Sequence, residues 1–76
     1  MHIHLGGHLA FYHRQTQSWF EHQLIVAAPL TQVLDQLGVP TGEIMLTVVN
    51  NEVVDLKTTV VNDQDTIQLY PPSNGG

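Results

Sequence analysis

Cysteine is absent from the 76 residues, which excludes disulfide staples, thiolate metal sites and a cysteine nucleophile. Basic side chains are almost absent too. Two Lys and Arg stand against seven Asp and Glu, for a formal charge of −5. That sign disfavours nucleic acid and anionic membranes and suits a partner with a basic surface. Long apolar runs are missing: the longest, Leu24 to Leu30, falls far short of the ~18 residues of a membrane span. The N-terminal stretch lacks the charged start, apolar run and small-residue cleavage site of a secretory leader. Together these features predict a cytoplasmic protein without a membrane segment. The length suits one small domain. Charged residues make up only 12% of the chain, about half the usual share, so Gln, Thr, Asn, Ser and His must cover the surface. Five histidines match the charge of −5, so their full protonation brings the net charge near zero.

Apolar residues alternate from the start. Ile3, Leu5, Leu9 and Phe11 share one parity, and His2, His4, His8 and Tyr12 the other, which predicts a half-buried strand with a bulge or a close backbone approach at Gly6-Gly7. His13 to Ser18 reads as a hairpin loop. Trp19 to Val26 reads as a second strand, with Phe20, Leu24 and Val26 inward and His22 sharing their parity. The period then changes: Leu30, Val33, Leu34 and Leu37 form one stripe of a short helix. Pro29 suits its first turn, Gly38 its left-handed end, and Pro40 prevents continuation. Ile44 to Val49 is apolar on both parities apart from Thr47 and predicts a central strand. Asn50-Asn51 makes a tight turn into a short strand, Glu52 to Val54. Leu56 and Val60 anchor an irregular crossover, and Asn62 to Asp65 forms a further turn. Thr66 to Tyr70 is the last strand, with Ile67 and Leu69 inward, closed by Pro71-Pro72. This order predicts an α+β fold, one helix across a small mixed sheet, with the first and last strands parallel. That arrangement is the β-grasp of ubiquitin.

The division expected is a domain over residues 1–70 and a tail over 71–76. Pro71 and Pro72 aim the tail away from the sheet. Gly75 and Gly76 lack a Cβ and can enter a channel too narrow for other residues. The terminal carboxylate then becomes the reactive group: a partner holding ATP can adenylate it and open it to attack by sulfur or an amine.

Three segments carry a resemblance to a known family. They are Val49-Asn50-Asn51-Glu52-Val53-Val54-Asp55-Leu56, Asn62 through Pro72, and Gly75-Gly76. Leu37-Gly38-Val39-Pro40 adds a matching helix end. From about Leu30 onward the chain resembles the MoaD/ThiS ubiquitin-like sulfur carriers, and its diproline looks more like the molybdopterin branch than the thiamine branch. Asn51 and Gln64 stand where that family usually has glycine, so a left-handed backbone there would be strained. The resemblance implies that a ubiquitin-activating-type enzyme adenylates Gly76 with ATP, and that sulfur from a sulfurtransferase replaces AMP. The thiocarboxylate then serves an acceptor synthase, either the molybdopterin-synthase large subunit or thiazole synthase. It implies a carrier subunit, not an enzyme, with no permanently bound cofactor. The alternatives are a ubiquitin-like modifier conjugated through Gly76 and a β-grasp interaction domain.

No nucleophile–base–orienter set is recognisable, so no catalytic residue is expected. His2 and His4 have the i, i+2 spacing of a strand metal site; His8 shares their parity but lies beyond the Gly6-Gly7 bulge, and further ligands would have to come from Glu21 or His22. Solvated histidines are the better reading, and no metal is expected. Trp19, Ile25, Met45 and Val49 are expected to share the sheet face away from the helix as a docking surface.

Overall fold

The computed structural model of the chain describes residues 1–13 and 18–72. The elements run β1 (His2–Leu5), a 3-10 helix (Gly7–Tyr12), β2 (Trp19–Glu21), β3 (Ala28–Pro29) and α1 (Leu30–Leu37). A 3-10 turn (Thr41–Glu43), β4 (Leu46–Val49), β5 (Glu52–Val54), a second 3-10 turn (Leu56–Thr58), β6 (Val60–Val61) and β7 (Thr66–Tyr70) complete the order. Five strands form one mixed sheet in the order β2-β1-β7-β4-β5. Only β1 and β7 pair in parallel. The molecule is therefore an α+β β-grasp, as the order of elements predicts.

Helix α1 closes the sheet's inner face. Its stripe Leu30, Val33 and Leu34 is fully buried. It meets Ile3 and Leu5 of β1, Ile67 and Leu69 of β7, and Leu9, Val39 and Val61 from the connections in one core. Eight residues would not hold a helix in water, so this burial is what maintains it. Gly38 ends the helix at φ +79°. Its amide donates to Asp35 O at 3.1 Å and the Val39 amide to Leu34 O at 2.9 Å, the paired bonds of a Schellman ending.

Three expectations are corrected. The first strand stops at Leu5, because Gly7 takes φ +53° and turns the chain into a 3-10 helix. Leu9 stays buried, but Phe11 is 82% exposed. The second strand spans three residues and not eight. Phe20 and Leu24 reach the core, whereas Val26 faces solvent. In the crossover Val61, not Val60, is the buried anchor. Val60 and Val61 instead pair with Pro29 and Ala28 in a second, two-stranded sheet.

The β4–β5 turn and the turn into β7 show why the sequence tolerates its missing glycines. Asn50 and Asn51 adopt φ +51° and +70°, a region that asparagine enters more readily than most residues. Gln64 is not among the described residues with positive φ, so no left-handed strain falls on it. The turn over Asn62–Asp65 is closed by Gln64 N–H donating to Asn62 Oδ1 at 3.0 Å and Asn62 N–H to Asp65 Oδ2 at 2.8 Å.

Candidate functional site

The end of β7 is where sheet topology concentrates control of the chain's direction. β7 is the middle strand, flanked by β1 and β4. The parallel pairing with β1 runs from His2↔Thr66 to Leu5↔Leu69. It extends one step further through Gly6 N–H donating to Leu69 O at 2.8 Å. On the other flank Met45 N–H donates to Tyr70 O at 2.9 Å. Pro71 and Pro72 offer no amide, so they cannot donate to a further ladder.

Gly6 and Gly7 make room for this ending. A Cβ on Gly6 would lie 2.6 Å from Tyr70 Cδ1, and one on Gly7 2.9 Å from Pro71 Cγ. Both separations are closer than non-bonded carbons permit, so Tyr70 and Pro71 rest on bare backbone. The 3-10 helix after Gly6 is tied down by Glu43. His8 Nε2 donates to Glu43 Oε1 at 2.9 Å, and the Tyr12 hydroxyl donates to Oε2. A carboxylate accepting two such bonds is stabilised in its charged form. The Tyr12 hydroxyl, and then His8, hold Glu43 below the usual carboxylate range. The same bond pushes the Tyr12 hydroxyl up.

Of the residues expected in the tail, Pro71 and Pro72 stand at this exit, while Gly75 and Gly76 lie outside the described residues. The four expected docking residues do not share one surface. Trp19 lies on the sheet's outer face, opposite His4. Val49 has the other parity and packs against the core. Met45 is exposed and borders a groove with Thr31, Thr47 and Lys57, and Ile25 is 94% exposed in the loop before β3. Met45 and Ile25 lie outside the strands, and Val49 is on the inner face because of the β4 register. Val48, not Val49, points outward, because Val48 pairs with Gln68 and Val49 with the buried Ile67.

The outer face carries an imidazole–aromatic cluster that its separate strands do not announce. His2 and Trp19 stack with ring centres 4.7 Å apart, and His4 lies 4.8 Å from Trp19 and 5.6 Å from Tyr70. Glu21 Oε1 lies 2.5 Å from His2 Nδ1. Among the described residues no three His, Asp or Glu side chains converge as a metal site. His2 and His4 are engaged with Trp19 instead. His22 is partly buried near Asp63; burial, then the N-terminal amine, lowers its pKa from the ordinary value. No described helix is long and apolar enough to cross a membrane.

The five-stranded sheet, the single packed helix and the parallel first and last strands define a ubiquitin-like protein. The chain belongs to the Mut7-C ubiquitin family, whose model matches residues 3–75. No curated protein matches the sequence.

Proposed function

We propose that the protein is a ubiquitin-like sulfur carrier, with Gly76 as the mature chain end that bears the sulfur. The observation that carries this reading is the stop of the central strand at Pro71-Pro72, with Tyr70 and Pro71 seated on Gly6 and Gly7, in a sequence that goes on to Ser73-Asn74-Gly75-Gly76. A strand fixed on both flanks gives the chain a defined exit at Pro71, and glycines such as Gly75 and Gly76 fit a narrow channel. An adenylating enzyme joins the Gly76 carboxylate to the α-phosphate of ATP and releases pyrophosphate. A persulfide on a sulfurtransferase attacks the acyl carbon and AMP leaves. A thiol then cleaves the acyl disulfide, leaving the thiocarboxylate and a new disulfide. The acceptor is a synthase of molybdopterin-type cofactor assembly in preference to thiazole synthesis, in a cytoplasmic setting. The domain catalyses no step itself and holds no cofactor.

The family description favours a second reading, a β-grasp module that works with a Mut7-C partner through its folded surface. Intact mass spectrometry of the natural gene product separates the two, with and without ATP, an activating enzyme and a sulfur source. A product ending at Gly76 that gains one oxygen-to-sulfur exchange supports the carrier. Heavier protein adducts support conjugation through Gly76. A product that continues past Gly76, or that stays unchanged, supports the module.

A further inference from the structure

We infer that Glu43 is a positioning residue: its carboxylate braces the two segments flanking the chain's exit from β7, and so fixes the direction of that exit. Sheet topology brings those segments together. β1 runs parallel to β7, so the 3-10 helix that follows β1 lies where β7 finishes. β4 runs antiparallel to β7, so the 3-10 turn that precedes β4 lies at the same end. Each segment holds one flank. On one side Gly6 N–H donates to Leu69 O at 2.8 Å, and Gly7 lies under Pro71. On the other, Met45 N–H donates to Tyr70 O at 2.9 Å.

Among the described residues the backbone does not join these segments to each other. Their turn bonds are local: Leu9 N–H to Gly6 O and His13 N–H to Ala10 O in the first, Glu43 N–H to Pro40 O and Ile44 N–H to Thr41 O in the second. Leu9 anchors the 3-10 helix in the core, yet its far end is loose, with Phe11 82% and Tyr12 38% exposed. The side chain of Glu43 supplies the polar tie. It accepts from His8 Nε2 at one end of the helix and from the Tyr12 hydroxyl at the other. Those two donors hold the carboxylate in its charged form, in which both oxygens accept. Each bond is partly exposed and modest alone. Together they close a ring of chain and hydrogen bonds through Gly6, Tyr12, Glu43, Met45, Tyr70 and Leu69. The entry end of β7 is closed without Glu43, by His2 N–H on Asp65 O and Asn50 N–H on Thr66 O. The brace uses none of residues 73–76 and stands apart from the chemistry of the chain end.

Amide hydrogen exchange of the full chain, followed by NMR, tests the brace, with the entry end of β7 as internal reference. Glu43→Ala should speed exchange at the Gly6 and Met45 amides at least about fivefold relative to those of His2 and Asn50, the scale of two exposed charge-assisted bonds. Val61→Ala, a cavity in the two-stranded sheet, controls for general destabilisation and should not single out the exit pair. Glu43→Gln keeps one acceptor and should fall between the parent and Glu43→Ala. Tyr12→Phe should loosen the exit in the parent but add nothing in the Glu43→Ala background, where its partner is gone. Equal acceleration at both ends of β7, no acceleration at the exit, or additive effects of Tyr12→Phe and Glu43→Ala would each overturn the proposal. Those results would leave the sulfur-carrier reading intact, and a failed oxygen-to-sulfur exchange would leave the brace intact.

Discussion

Gly7 lies directly under Pro71: a methyl group on Gly7 would stand 2.9 Å from the proline Cγ, on a backbone already at φ +53°. Two penalties therefore act on Gly7→Ala, a left-handed alanine and a displaced proline. The first costs on the order of 1–2 kcal/mol, and the second tilts the exit of the chain from β7. Urea unfolding should show a loss of at least about 1 kcal/mol. Gly42→Ala is the control, since nothing lies within 4 Å of its Cβ, and it should change stability by no more than about 0.5 kcal/mol. Equal midpoints for the two variants would mean that Gly7 does not shape the exit.

Core and surface should separate just as cleanly. Leu69 of β7 is fully buried between β1 and β4, and Leu69→Ala leaves a cavity costing about 2–5 kcal/mol. Ile25 is the most exposed of the large hydrophobic residues, at 94%, and Ile25→Ala should fall within about 0.5 kcal/mol of the parent. Thermal melts of both variants check this.

Helix α1 and strand β7 are legible in the sequence because their signals are local: a 3-4 stripe with Gly38 at one end, and alternation closed by a diproline. The change at Gly7 is not readable from alternation. Leu9 stays buried whether the segment is a strand or a 3-10 helix, and only Phe11 reveals the difference. The pair Gly6-Gly7 does signal a close approach, but not that its neighbours are Tyr70 and Pro71 at the far end of the chain. The outer-face cluster of His2, His4, Trp19 and Tyr70 is hidden for the same reason. It depends on β7 entering between β1 and β4, and a shift of one residue in β4 exchanges Val48 for Val49.

Acid should destabilise the fold in two stages. The pKa of His22 is lowered from 6.5, chiefly by burial. Below pH 6.5 the unfolded chain therefore takes up this proton first, and stability falls until the folded form also titrates. Glu43 and Asp63 are lowered from 4.5 and 3.8, by the Tyr12 hydroxyl and by the Leu24 amide respectively. Their stabilisation is present above those values and is lost as pH falls through the lower folded ones. Melting temperature should decline in both windows; His22→Gln should flatten the first and Glu43→Gln part of the second. Solubility should decline over the histidine range as well, because five protonations offset the charge of −5. A flat solubility profile from neutral pH downward would contradict that part.

Asn50 links the β4–β5 turn to the start of β7, and its substitutions should report on both of its functions there. Its Oδ1 accepts from Thr66 N–H at 2.9 Å, its Nδ2 donates to Asp65 Oδ1 at 2.9 Å, and its backbone sits at φ +51°. Asn50→Gly keeps the backbone and removes the two bonds, for a loss of about 1–2 kcal/mol. Asn50→Ala adds left-handed strain of about 1 kcal/mol to that loss. Asn50→Asp keeps the acceptor for Thr66 but sets a second carboxylate against Asp65, where like charges repel. Its deficit relative to the parent should therefore be largest at neutral pH and shrink as acid protonates one of the pair. Urea titrations of the three variants at neutral and mildly acidic pH distinguish these contributions. A deficit for Asn50→Asp that grows in acid would show that charge repulsion across this junction is not what governs it.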